Sequence, residues 1–327
     1  MFIPFTNLKK QYLSLKNEID TVVQSCFDDA RFLNCEKVKL FEDAFAKYLD
    51  VKHCIACANG SDAIEVALSV LGIGEGDEVI VPTHTWITSA SAIANVGATP
   101  ILVDTNHNFL LSTSAIEQKI TQKTKAILFV HLFGNTNGVE KVSEIAKTYG
   151  LYLIEDCAQA HGGEFRGEKA GAFGDIATFS FFPAKNLGAY GDAGAIVTNS
   201  KVLEKKARLI INKGQKSRGC FQVWGRNSGM DSIQASTLSV KLKYLNKWNL
   251  RRIEIASIYH QEIKENDSLM KPSLYLDGSH VYHQYVLRVK NRDVLQKKLF
   301  KEGVETKIHY PNTVSYTHLT LPTTSRV

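Results

Sequence analysis

Lys185 stands in the run FSFFPAKNLGAYGDAGAIVT (179–198), a loop of small residues between two short apolar runs of β-strand composition. A lysine is ordinarily a solvated surface group. Its company changes that reading, because NGSDA (59–63), THTW (83–86) and EDCAQAHG (155–162) each sit where an apolar run gives way to a turn or a helix start. A primary amine on a rigid loop attacks carbonyl groups and, when free, acts as a base. Together with an acid at one strand end and a phosphate-type helix start at another, it is what a pyridoxal 5′-phosphate (PLP) site needs, the amine forming an imine with the cofactor aldehyde.

The parts follow from residue type. In NGSDAIEVAL, Ser61 or Asp62 reads as the cap of a helix whose first N–H groups are free to bind a phosphate; plain capping is the alternative. Ser180, at the end of the strand before Lys185, adds a hydroxyl to that phosphate or is a core-facing strand serine. Asp156 closes an apolar strand, so its carboxylate is desolvated and wants a cation, which a pyridinium N–H supplies. Gln159 lies within reach of the phenolic oxygen, and His161 either orients one of these groups or is structural. Trp86 lies against the ring or packs as an ordinary aromatic. Lys185 then serves twice, holding the cofactor and, once displaced, moving a proton.

Elements able to position these residues are legible as alternation. A helix over about 8–29 precedes a strand at CIACA, a helix from Ser61 to about Leu71, a strand at EVIVP, a helix from about Trp86 to Asn95 and a strand at TPILVD. AILFVH, a helix from about Val139 to Tyr149, LYLIED, IATFSF and GAIVTN continue the pattern. Such alternation predicts an α/β fold with a mostly parallel sheet, whose ligands sit at the carboxyl ends of the strands. Ser61, Trp86 and Asp156 should therefore meet on one edge. KVLEKKARLIINKGQKSR reads as an amphipathic helix followed by a basic loop, either a solvated face or a steering surface for a diphosphate-bearing substrate. A helical stretch from about Asp231 to Glu265, broken near Trp248, leads to strand-like HVYHQYVLRV, a helix from about Arg292 to Glu302 and a strand at TKIHYP.

Composition bounds the classes. The chain has 327 residues, 44% of them hydrophobic, which suffices for one large domain and a smaller one. No apolar run approaches the roughly 20 residues needed to span a bilayer, and no signal peptide is visible, so a cytoplasmic location is expected, with no membrane partner. Spread over the chain, 39 basic and 33 acidic residues give a net charge of +6, too weak for nucleic acid. Cys54 and Cys57 form a C-x-x-C, but on a strand they point to opposite faces and cannot share an ion; no metal site is expected, and the six cysteines read as reduced thiols. LGIGEGDEV carries a G-x-G-x-G, yet it precedes a strand, where a dinucleotide fingerprint must follow one.

NGSDA, PTHTW, EDCAQAHG, FSFFPAKNLGAYGDAGA, GRNSGMDSIQA and IHYP occur in the order and spacing of a known family. From residue 2 to Pro311 the chain resembles the DegT/DnrJ/EryC1/StrS family of PLP-dependent nucleotide-sugar aminotransferases, fold type I. The resemblance implies amination of a keto group on a nucleotide-linked sugar with L-glutamate as donor. Similarity of SVKLKYLNKWNLRR, NRDVLQ and IHYP to particular members points to a dTDP- or UDP-linked 3-keto sugar over a 4-keto one. By the same resemblance Lys185 is the imine-forming lysine and Asp156 the partner of the pyridine nitrogen. Gln159 neighbours the phenolic oxygen, Trp86 stacks, and Ser61, Asp62 and Ser180 hold the phosphate. Asn227 reaches the phosphate from the second subunit of a homodimer with shared active sites, and His309 and Tyr310 contact substrate. Related dehydratases carry histidine at the Lys185 position, so lysine implies transamination; a catalytically silent regulatory relative would lack Lys185 or Asp156. Gly229 stands in NSGMD where the family often has arginine. The expected domains are a large PLP-binding domain at 1–245 and a small one at 246–311. The latter is incomplete against the family, and 312–327 is set apart as a non-native tail, since SYTHLTLPTTSRV is similar to translated sequencing-adapter sequence.

Overall fold

The computed structural model of the chain describes residues 2–276, 278–312 and 314. Seven strands form one sheet: β1 (His53–Cys57), β2 (Glu78–Pro82), β3 (Thr99–Val103), β4 (Thr124–Val130), β5 (Tyr152–Asp156), β8 (Ile176–Ser180) and β9 (Gly194–Thr198), with the two-residue strands β6 (Glu164–Phe165) and β7 (Glu168–Lys169) as a separate hairpin. Their order is β1-β9-β8-β5-β4-β2-β3. Pairs β3/β2, β2/β4, β4/β5 and β5/β8 are parallel, and only β9 runs against its neighbours. The expected mostly parallel sheet is what forms.

Among the described residues ten α-helices accompany it: α1 (Leu8–Asp29), α2 (Glu36–Leu49), α3 (Gly60–Val70), α4 (Thr88–Asn95), α5 (Thr113–Glu117), α6 (Val139–Tyr149), α7 (Lys201–Ile211), α8 (Ser232–Leu242), α9 (Leu245–Glu262) and α10 (Arg292–Lys301). Strand side chains alternate between two cores, as a period of two requires. Val79, Val81, Leu128 and Ile154 join one core with α3 and α4, whereas Ile80, Ile127, Phe129 and Leu153 join another with α6. Cys57 and Cys54 follow the same rule and fall into different cores, so the C-x-x-C is split by the sheet.

Three expectations need correction, and one helix was not expected. The helix α2 went unread, although Phe41, Phe45 and Leu49 give it a buried stripe. The break in the helical stretch 231–265 falls at 243–244, not near Trp248, because Trp248 lies inside α9 and stacks on Tyr244 at 6.0 Å. HVYHQYVLRV is irregular except for a single bridge of His280 to Asn135 and a two-residue pairing at Arg288–Val289. Its carbonyls are taken by side chains instead of a neighbouring strand: Val281 O accepts from Asn186, and the carbonyls of Tyr282 and His283 accept from Arg252. TKIHYP is likewise not a strand, its region pairing only through a bridge between Ile3 and Val304. Of the tail at 312–327, Asn312 and Val314 are described, Val314 being buried with its N–H donating to Thr83 O at 3.1 Å; the remainder lies outside the described residues.

Candidate active site

Lys185 projects from the loop joining β8 to β9, beside the carboxyl end of β5 where Asp156 sits. Asp156 is buried, and its carboxylate accepts from Ser89 Oγ at 3.1 Å and from the Ala158 N–H at 3.1 Å. Because the Ser89 proton goes to Asp156, Thr85 Oγ1, 3.0 Å away, must donate to Ser89. No lysine, arginine or histidine among the described residues lies within ion-pair distance of Asp156. Burial pushes its carboxyl up, against the Ala158 N–H, Lys185, Ser89 and His131, and burial pulls the Lys185 amine down, against the pull of Asp156. A buried carboxylate without a cation beside an amine of lowered basicity is a site short of one positive charge, which a protonated pyridine nitrogen supplies.

At the α3 end, the cap is Asn59, whose Oδ1 accepts from the Asp62 N–H at 2.8 Å; this corrects the expectation of Ser61 or Asp62 as cap. Ser61 and Asp62 stand in the first turn. The Asp62 carboxylate is turned to Ser228 Oγ at 2.5 Å and to Arg226 at 3.5 Å, so it is not a phosphate ligand through its side chain. What remains open to an anion is the pair of N–H groups of Gly60 and Ser61, which have no protein acceptor among the described residues. Ser180 is brought against them: a Cβ on Gly60 would lie 2.6 Å from Ser180 Cβ, and one on Gly194 would lie 2.4 Å from the Asn59 carbonyl. Two residues without side chains thus let a helix start, a strand end and a hydroxyl converge, and the cradle fits a phosphate.

Gln159 is buried with both ends of its amide used, Oε1 accepting from the Phe133 N–H at 2.6 Å and Nε2 donating to Tyr310 Oη at 2.9 Å. Tyr310 lies 5.7 Å from the Trp86 ring and 5.9 Å from His84, and burial pushes its phenol up to about 12. Trp86 is 59% exposed and free to cover a flat ligand. His309 accepts from Gln284 at 2.9 Å and stacks on Phe5. His161 is buried between Phe179 and Phe181, with neither ring nitrogen in good hydrogen-bonding geometry, and burial and Lys185 pull it down to about 3 against a nearby Ser180 backbone group. It is a neutral packing group, in line with its structural reading. Asn227 is exposed and bridges Asn212, so within one chain it is not gathered into the Lys185 site. Gly229 bridges Cys57, and a Cβ there would find its nearest neighbour, Asn34 Oδ1, at 3.9 Å.

Sequence reasoning missed four supports. Thr85 lay inside the THTW motif with no role read for it, and Ser89, four residues on, carried no motif signal. Asn186, next to Lys185, donates to Asn249 at 3.0 Å and meets His283 Nδ1 at 3.0 Å. Glu155 meets His131 Nε2 at 2.8 Å and accepts from the N–H groups of Gly171 and Gly174, so this buried acid is held by hydrogen bonds, with the Cys157 thiol within 4.8 Å of the pair.

Comparison with known proteins gives the family and the fold. A family model described as the DegT/DnrJ/EryC1/StrS aminotransferase family matches residues 13–324. The chain is 41% identical over 327 residues to the erythromycin biosynthesis sensory transduction protein EryC1 of Saccharopolyspora erythraea, covering 98% of this chain and 89% of that protein. It is 43% identical over 310 residues to the dTDP-3-amino-3,6-dideoxy-alpha-D-galactopyranose transaminase of Aneurinibacillus thermoaerophilus, covering 94% and 85%. The crystal structure of S. venezuelae DesV superposes with a TM-score of 0.94 at 36% identity, over 100% of this chain and 87% of that one.

Proposed function

The chain belongs to the DegT/DnrJ/EryC1/StrS aminotransferase family, and on that premise we propose that it aminates a dTDP- or UDP-linked 3-keto sugar with L-glutamate as donor. It is a PLP-dependent aminotransferase of fold type I. One observation carries the catalytic reading: Asp156, buried and without a cation, stands in the field of Lys185 at the carboxyl edge of the sheet.

When bound, PLP supplies an aldehyde that condenses with amines and a ring that accepts the electron pair left by a departing proton. The chain does the rest. Gly60 and Ser61 N–H groups with Ser180 hold the phosphate, and Trp86 covers the ring. Asp156, kept charged by Ser89 and the Ala158 N–H, holds the proton on the ring nitrogen. Lys185 Nζ, less basic than a surface lysine, takes and returns the proton of the reacting carbon. Tyr310 and His309 face the sugar, with Gln159 and Gln284 fixing their orientation.

A homodimer with shared sites belongs to this reading: Trp224 is 99% exposed and Asn227 is exposed beside it, available to a second copy. So do a cytoplasmic setting, which six unpaired cysteines suit, and a division into domains at 1–245 and 246–311. No helix among the described residues is long and apolar enough to cross a membrane. The sensory-transduction name of the S. erythraea relative raises a regulatory reading, but both Lys185 and Asp156 are in place here. The test is an absorbance spectrum with PLP, before and after L-glutamate. A band near roughly 410–430 nm that moves toward roughly 330 nm is expected, followed by turnover of nucleotide-linked 3-keto sugars; turnover of 4-keto sugars alone would overturn the substrate class.

A further inference from the structure

Lys241, on α8, is fully buried, and no carboxylate among the described residues pairs with it. Its Nζ donates to Gly188 O at 2.6 Å and lies 3.6 Å from the centre of the Tyr190 ring. Two helical turns earlier on α8, Gln234 Oε1 accepts from the Tyr190 N–H at 3.0 Å. Both side chains therefore grip the stretch that leaves Lys185.

That stretch is closed on itself. The Lys185 N–H donates to Phe182 O at 2.9 Å and the Ala189 N–H to Phe181 O at 2.8 Å. A Cβ on Gly188 would sit 2.3 Å from Pro183 O, so the loop has no slack at the point Lys241 holds. On its other side Asn186 is tied to Asn249, Val281 O and His283. A displacement at Gly188 must reach Lys185, three residues away in a loop fixed at both flanks.

An ammonium buried without a carboxylate is costly, and burial pulls this one down to about 7. Methionine would fill a similar volume without that cost. Packing alone thus gives no reason for a lysine here. The titratable groups around it are Tyr190 in the loop and, beyond that ring, Tyr12 of α1, which donates to Asp20. The cation–π contact and the charged hydrogen bond both depend on the proton.

We infer that Lys241 is a positioning residue for Lys185, its ammonium clamping Gly188 and Tyr190 together with Gln234 so that the reacting amine stays in the field of Asp156. The inference rests on Lys185 being that amine.

Amide hydrogen exchange on the full protein, with and without PLP, tests it in the wild type, Lys241→Met and Lys241→Gln at about pH 6 and about pH 8, alongside melting temperature and steady-state kinetics. In Lys241→Met the fold should melt no lower. Protection of the Ala189 and Tyr190 amides should fall about tenfold, the wild type's loss of protection between the two pH values should vanish, and kcat should drop with KM for glutamate unchanged. Lys241→Gln, which keeps an N–H donor, should recover part of both losses. Unchanged protection in Lys241→Met, or lost protection with unchanged kcat, overturns the assignment. A wild type without any glutamate-driven spectral change would sink the aminotransferase reading alone, because exchange reads the loop without turnover.

Discussion

Ser89 Oγ, on α4, donates at 3.1 Å to a carboxylate oxygen of Asp156, at the end of β5, across 67 residues of sequence. With the Ala158 N–H it keeps a buried acid ionised where burial favours the neutral form. Ser89→Ala should therefore leave the fold intact and weaken PLP binding by about tenfold, the loss of roughly 1.4 kcal/mol from one charged hydrogen bond. A PLP titration followed by absorbance checks this. Unchanged affinity would remove Ser89 from the site.

Asp156→Asn should separate stability from catalysis. The folded-state carboxyl is raised above its unfolded value of about 3.9, so as pH climbs through that window the unfolded chain gives up its proton first and stability falls. Above the unfolded value the cofactor-free wild type therefore carries a cost that a neutral side chain would not. The asparagine variant should then melt higher without PLP, yet lose about 10²–10⁴-fold in transamination, since a neutral amide cannot hold the pyridinium. Differential scanning calorimetry and a glutamate half-reaction assay read the two effects.

Lys185→Ala should abolish turnover while far-UV circular dichroism stays that of the wild type. Because it empties a loop position and leaves no buried partner without its hydrogen bond, a large loss of stability is not expected. Retained transamination would end the assignment of Lys185.

Gly60→Ala tests the phosphate cradle. The added methyl would meet Ser180 Cβ at 2.6 Å, which forces the helix start away from the strand end. A destabilisation of about 1–3 kcal/mol is expected, with a PLP affinity lost beyond what the melting shift explains. Equal PLP binding in this variant would place the phosphate elsewhere.

Acid should unfold the protein through its buried histidines. His161 and His280 are pulled down to about 3 by burial, and burial also pulls His283 well below the ordinary imidazole value. Between the unfolded value of about 6.5 and these folded values the unfolded chain binds more protons, so stability drops as pH falls from about 6.5. His161→Phe, packed between Phe179 and Phe181, should flatten the fall in melting temperature from about pH 7 to about pH 5. An unchanged slope would contradict the assignment of His161 as a buried neutral ring.

Helix α7 and the strands of the main sheet were legible because their signals are local. Amphipathic or alternating side chains within a few residues decide them, and every strand end that carries Ser61, Trp86 or Asp156 came with its motif. HVYHQYVLRV was misread for the converse reason: its β-branched and aromatic residues suit a strand, but its carbonyls are claimed by Asn186 and Arg252 from distant elements. In the site, the Asn59 cap was overlooked in favour of its neighbours, although asparagine before a glycine is a cap by residue type.

By itself the sequence determined the α/β alternation, the amine at 185, the acid at 156 and the family, since residue type and short spacing suffice for each. Only the tertiary structure decided that Asp156 lacks a cation and leans on Ser89, that Asp62 is turned to Arg226 and Ser228, and that Lys241 lies buried against the loop of Lys185. These depend on desolvation and on partners from elements far apart in the chain, quantities that no window of neighbouring residues contains.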